Sequence, residues 1–196
     1  MCGRNTLFSS PDKIKKDLEI DFWKDDHSYT PSYNLSPTQN SLVLVHNKRR
    51  VIYSMRWGFG FDTKRRPIFN ARSETLDTKP TFKNLIHKNR CIVLSDGFYE
   101  WKQNGSSKIP HFICHKENRI LPMAGLCKWD VDGKGLKKLV FTIITKGARD
   151  SLKHIHLREP VILTKKAVKS WITVNDPQNK PLNLLQDNLD GMISYA

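Results

Sequence analysis

The sequence predicts an α+β fold: a single domain over residues 1–196, built on a curved, mainly antiparallel, barrel-like β-sheet with short peripheral helices. Three observations lead there. Many short apolar, β-branched runs are separated by turn-forming stretches such as Gln103-Asn104-Gly105-Ser106 and Asp130-Val131-Asp132-Gly133. The helical patterns between them are brief and isolated, without a steady βαβ alternation. No repeat, linker or low-complexity tract divides the 196 residues, a length that can bury one core.

The elements follow in order. Ser10-Pro11-Asp12 opens a short helix, with a capping hydroxyl, proline at the first turn, and Ile14 and Leu18 spaced onto one face. Ser41 to His46 and Arg50 to Trp57, joined by Asn47-Lys48-Arg49, read as a hairpin. Further strands are expected at Cys91 to Ser95, Phe98 to Lys102, His111 to Cys114, Ile120 to Trp129, Leu139 to Thr145 and Val161 to Leu163. Amphipathic helices are expected at Thr81 to His87, Ala148 to His154, Lys165 to Ile172 and Pro181 to Gln186.

Lysine and arginine total 33 against 19 acidic residues, a net charge of +14 that points to a polyanionic partner. Nucleic acid fits better than a membrane surface, because no basic amphipathic helix is evident. The polar segment after Met1 and the lack of long apolar runs predict no membrane association, with residence in the cytoplasm at the nucleoid in a bacterium or in the nucleus of a eukaryote. Cys2, Cys91, Cys114 and Cys127 lack paired metal-ligand spacing, so neither a metal nor another cofactor is expected.

Cys2 carries the most distinctive chemistry. With Met1 removed, it offers an α-amine (pKa about 7.7 to 8.0) and a thiol (about 8.5) on one carbon skeleton. An aldehyde would form an imine with the amine, and the sulfur would close a five-membered thiazolidine. An internal cysteine cannot do this.

Four other segments gather polar groups beside aromatic residues and glycine: Arg56-Trp57-Gly58, Asn70-Ala71-Arg72-Ser73-Glu74-Thr75, Asp96-Gly97-Phe98-Tyr99-Glu100-Trp101 and His154-Ile155-His156-Leu157-Arg158-Glu159-Pro160. With Met1-Cys2-Gly3-Arg4, and with the proline-bearing stretch Tyr33 to Thr38, this order resembles the SOS response-associated peptidase (SRAP) family from Cys2 to about Leu163. The resemblance implies a protein of the DNA damage response that traps abasic sites in single-stranded DNA through its N-terminal cysteine.

It also implies roles. Cys2 is the nucleophile. Asn70 holds its amine and the sugar, a task a neutral amide performs without adding charge; a turn or cap asparagine is the alternative. Glu100 moves protons during imine formation, unless it is a solvated surface carboxylate. His156 helps the sugar ring open, against a purely structural histidine. Arg4, Pro37, Thr38, Trp57, Arg72 and Arg158 are the implied DNA contacts, arginines to phosphate and the indole as a stacking platform, with core packing as the alternative for Trp57. Glu159 stands where the family usually has methionine; a carboxylate there would weaken DNA contact, and the alternatives are that it faces solvent or pairs with Arg158.

The leading expectation is therefore an abasic-site sensor, a monomer whose partners are damaged single-stranded DNA and replication-associated proteins, with lyase-type imine chemistry and autoproteolytic loss of Met1. Two rivals stay open: a cysteine peptidase using Cys2, His156 and Asn70, and a non-enzymatic single-strand binding module.

Overall fold

A computed structural model describes residues 3–24, 26–60, 66–173, 181–186 and 189–195. Among them the strands are β1 (Arg4–Leu7), β2 (Ser32–Leu35), β3 (Asn40–Asn47), β4 (Arg49–Trp57), β5 (Asn70–Arg72), β6 (Arg90–Ser95), β7 (Gly97–Asn104), β8 (Ser107–His115), β9 (Leu121–Val131), β10 (Lys137–Gly147), β11 (Arg158–Pro160) and β12 (Met192–Tyr195). The helices are α1 (Pro11–Leu18), α2 (Pro80–Lys83), α3 (Leu85–Lys88), α4 (Asp150–Lys153), α5 (Lys165–Ile172) and α6 (Pro181–Leu184).

Strands β10, β4, β3, β6 and β9 pair in that order, and β9 returns to β10, closing a five-stranded barrel. All of these pairings are antiparallel except β4 with β10, where Arg56 lies opposite Val140 and Trp57 opposite Phe141. A second, wholly antiparallel sheet runs β12-β8-β7-β1-β2. This is the α+β, barrel-based architecture that the sequence predicts.

Burial on both faces explains why the barrel strands read as continuous apolar runs rather than as alternating ones. Leu44, Ile92, Ala124 and Ile144 face one core with the apolar sides of α1 and α5. Their neighbours Val43, Val93, Met123 and Ile143 face another, with Phe98 and Ile113 of the second sheet.

Local chemistry sets the helix ends. Ser10 accepts the Lys13 backbone N–H at 3.3 Å and Thr164 that of Ala167 at 3.2 Å, satisfying first-turn donors of α1 and α5. The buried Arg90 serves helix ends in the opposite sense. Its guanidinium donates to the carbonyls of Ile86 at 2.9 Å and Thr173 at 3.2 Å, where helix C-termini leave acceptors unfilled. Burial draws its pKa down to about 10.

Several boundaries differ from expectation. The segment Thr81 to His87 splits into α2 and α3 at Asn84. The strand expected at Val161 to Leu163 is instead β11, just before it, and Ile162 makes only one bridge, to Met123. Strands β1, β2, β5 and β12 were not anticipated; each is three or four residues long, too short for a periodic signal. No helix among the described residues is long and apolar enough to cross a membrane.

Candidate active site

Two of the unanticipated strands build the site. β1 lies antiparallel to β7, with Arg4 opposite Tyr99, Asn5 opposite Phe98 and Thr6 opposite Gly97. Buried polar groups fix this register. Asn5 donates to the Leu94 carbonyl at 3.3 Å and accepts from the Ser95 hydroxyl at 2.5 Å, while Thr6 donates to the Gly97 carbonyl at 3.0 Å. The Asp96 carboxylate accepts the backbone N–H groups of Phe8 at 2.6 Å and Ser9 at 2.7 Å, so the chain leaving β1 is clamped as well. The strand that begins two residues after Cys2 is thereby held against the strand that carries Glu100. Cys2 itself lies outside the described residues.

Glu100 is 4% exposed, with Oε1 sealed from solvent. Alternation along β7 sends Tyr99 and Trp101 to the other face, which is partly exposed, and Arg4 shares it by register. The carboxyl group is therefore inside while its aromatic neighbours look outward.

The second unanticipated strand, β5, carries Asn70. It runs parallel to β10, with Asn70 opposite Ile143 and Arg72 opposite Thr145. On the other edge of β10, Pro160 of β11 also faces Thr145, and Arg158 faces Gly147. Strand β10 thus gathers the Asn70 and His156 segments on its two flanks.

A fork joins those flanks. The Arg158 guanidinium donates to both carboxylate oxygens of Glu74, at 2.5 and 3.0 Å, and to the Thr145 carbonyl at 2.7 Å. Arg158 also sets the histidine: its backbone N–H donates to His156 Nδ1 at 2.9 Å, which assigns the neutral ring's proton to Nε2. The Asn70 amide oxygen is sealed from solvent. The two halves of the site meet at the rings of His111 and His154, 6.4 Å apart and perpendicular.

The other expected contacts fare differently. Arg72 is exposed beside Asn70, and Arg4 is partly exposed beside Tyr99. Pro37 and Thr38 occupy a turn anchored by the Thr38 N–H to the Trp57 carbonyl at 2.8 Å, with Thr38 in the left-handed region.

Trp57 requires a correction. It is 1% exposed, its ring stacks on Phe141 with centroids 6.1 Å apart, and its indole N–H donates to the Phe69 carbonyl at 2.8 Å. A side chain enclosed this way packs the core and offers no platform to a base. Trp101, 37% exposed and next to Glu100, is the accessible indole.

Glu159 needs one too. It neither faces solvent nor pairs with Arg158; its side chain is 2% exposed and accepts from Arg149 Nε at 2.8 Å. A charge in place of the family's methionine is balanced by a second charge. Sequence reasoning gave no role to Glu74, although it lies within the Asn70–Thr75 segment, or to Arg149, because each acquires its partner only through tertiary contact.

The wider comparisons agree with this architecture. The family model described as SOS response associated peptidase (SRAP) matches residues 1–195. The chain is 38% identical to the abasic site processing protein YoqW of Bacillus subtilis, over 96% of this chain and 86% of that protein. It is 31% identical to the abasic site processing protein HMCES of Xenopus tropicalis, over 92% and 68% of the two chains. A crystal structure of a protein from Bacteroides thetaiotaomicron superposes with a TM-score of 0.83 at 25% identity, covering 99% and 91% of the two chains. On the match across nearly its whole length, with Glu100, Asn70 and His156 each held by the scaffold described above, the chain belongs to the SRAP family.

Proposed function

We propose that this protein recognises abasic sites in single-stranded DNA and captures them covalently through Cys2, as a thiazolidine. The relatives named as abasic site processing proteins support the substrate. The observation that carries the chemistry is the β1–β7 ladder. Cys2 is two residues from Arg4, two trans peptide units span about 7.6 Å at most, and Arg4 lies opposite Tyr99, next to the buried Glu100.

Each step has a group to serve it. The sugar must first open to its aldehyde: the anomeric hydroxyl gives up a proton as the ring oxygen gains one, and His156 is suited to relay it between the two. The α-amine of Cys2 then bonds to the aldehyde carbon while Asn70 holds the amine and the sugar hydroxyl. Glu100 in its acid form gives a proton to the resulting hydroxyl, water leaves, and an iminium remains. The Cys2 sulfur bonds to the same carbon, and its thiol proton returns to Glu100. The balance is one water lost and no net change in Glu100. β-Elimination from the iminium would cleave the strand, giving a lyase side activity.

All of this requires a free amine, so Met1 must be removed, and the same thiol is a candidate to do it. Arg4 and Arg72 would hold phosphates, and Trp101, rather than Trp57, would stack on an unpaired base.

Mixing mature protein with an oligonucleotide containing one abasic site should give an adduct that survives denaturing electrophoresis without borohydride. Its intact mass should equal protein plus DNA less one water. Absence of that adduct from the wild-type reaction, or its persistence in Cys2→Ala, overturns the mechanism.

A further inference from the structure

We propose that Lys102, His111 and His154 form a phosphodiester subsite beside Glu100, one that holds the DNA backbone next to the abasic sugar and tightens as the pH falls. It rests on the reading of the site just given.

The register of β7 with β8 sets Glu100 opposite His111 and Lys102 opposite Ile109. Glu100 and Lys102 are two residues apart and share a face of β7, and a direct cross-strand partner shares it with them. His154, in the turn that ends α4, brings its ring perpendicular to that of His111. Lys102 and His111 are partly exposed and His154 is exposed, so a ligand can reach them. Three basic groups thus cluster beside the buried carboxyl.

Among the described residues, none of the ion pairs uses Lys102, His111 or His154. His111 Nδ1 is also sealed from solvent with no hydrogen-bond partner, a condition that cores avoid and functional sites tolerate. Burial, then Lys102, then His154 push the His111 pKa below the ordinary histidine value. The charged and titratable groups facing it are Glu100 and Lys102 from β7 and His154 beyond α4. Two like-signed neighbours act on one ring, and the single carboxyl facing it, Glu100, leaves the three basic groups in excess. A phosphodiester is the anion that a chain of net charge +14, working on DNA, would meet there.

The sign of the pH effect follows. A bound phosphate favours the protonated rings, so binding takes up protons and strengthens as the pH falls through the histidine range. His111, neutral at neutral pH, would be recruited as a cation when DNA arrives.

The test uses reversible binding by the full chain carrying Cys2→Ala, so that no crosslink forms. Fluorescence anisotropy with a single-stranded oligothymidylate bearing a central tetrahydrofuran, at fixed salt, should show affinity rising at least about threefold from roughly pH 7.5 to roughly pH 5.5. Adding H111Q and H154Q should flatten that rise; K102Q should weaken binding at every pH and reduce the salt slope by about 0.7. If H111Q proves unfolded by circular dichroism, H154Q alone, at an exposed position, should still remove part of the rise. A pH dependence unchanged by the histidine substitutions, or a salt slope unchanged in K102Q, overturns the proposal. Because Cys2 is absent throughout, these results are independent of whether the wild-type protein forms its adduct.

Discussion

Glu74 and Arg158, 84 residues apart in sequence, are joined through both carboxylate oxygens and both terminal guanidinium nitrogens. This pairing ties the end of the Asn70 segment to the strand that follows His156. The Arg158 side chain is 19% exposed in this pairing and that of Glu74 52%. The resemblance implies a DNA contact for Arg158; its geometry supports a positioning role, with the backbone N–H orienting His156 and the side chain fastening the two flanks of β10.

The first prediction concerns that pair. The Arg158 hydrogen bond, against the opposing effect of burial and with help from the Arg158 charge, holds the Glu74 carboxyl below its ordinary value. A folded-state pKa depressed in this way adds stability that is present above the unfolded value and lost as the pH falls through the folded one. E74Q should therefore destabilise the protein near neutral pH by about 1 kcal/mol or less, since the carboxylate is half exposed. The gap from wild type should close below about pH 4. Urea denaturation at the two pH values reads this directly, and a gap that persists in acid would show that the effect is not titration of Glu74.

The Arg149–Glu159 pair gives the second. With Glu159 fully enclosed, R149M leaves a carboxylate buried without its partner and should cost about 3 kcal/mol. The double variant R149M/E159M should recover most of that loss, because a methionine at 159 returns an apolar group to an apolar site. Denaturant midpoints for the two singles and the double form the cycle; a loss in the double equal to the sum of the two single losses would mean no coupling.

Trp57 supplies the third. If the indole belongs to the core, W57A should lose about 3 to 5 kcal/mol of stability. W57F should lose less, while affinity for intact single-stranded DNA stays within about twofold of wild type. W101A should do the reverse, weakening DNA binding by about 1 to 3 kcal/mol with little change in thermal midpoint. Paired melting and anisotropy measurements separate the two indoles.

Gly97 supplies the fourth. A Cβ there would run into the Phe112 ring and lie 2.8 Å from the Ile113 carbonyl oxygen. Since Gly97 starts the strand that holds Glu100 and faces Thr6 of β1, G97A should open the β7–β8 contact at its active-site end. Loss of about 1 to 3 kcal/mol is expected from the overpacking, with a slower crosslinking rate. Normal stability together with a normal rate would contradict the close approach.

Much of this protein was legible one segment at a time. The β3–β4 hairpin, α1 with its Ser10 cap, and α5 with its apolar face each follow from residues within a few positions of one another, where periodicity and capping act. The motifs around Cys2, Asn70, Glu100 and His156 were likewise readable as short strings. Hidden from that view were β1, β2, β5 and β12, whose few residues form strands only because a neighbour already lies beside them.

The sequence by itself determined the α+β class, the basic charge and the position of a cysteine able to expose both amine and thiol. Tertiary structure decided that β4 and β10 close the barrel in parallel, that β10 collects Asn70 and His156 on opposite edges, that Trp57 is enclosed, and that Glu159 answers to Arg149. The reason is physical: strand register and burial are settled by contacts between residues tens of positions apart, and no local period of 2.0 or 3.6 records which distant strand will arrive alongside.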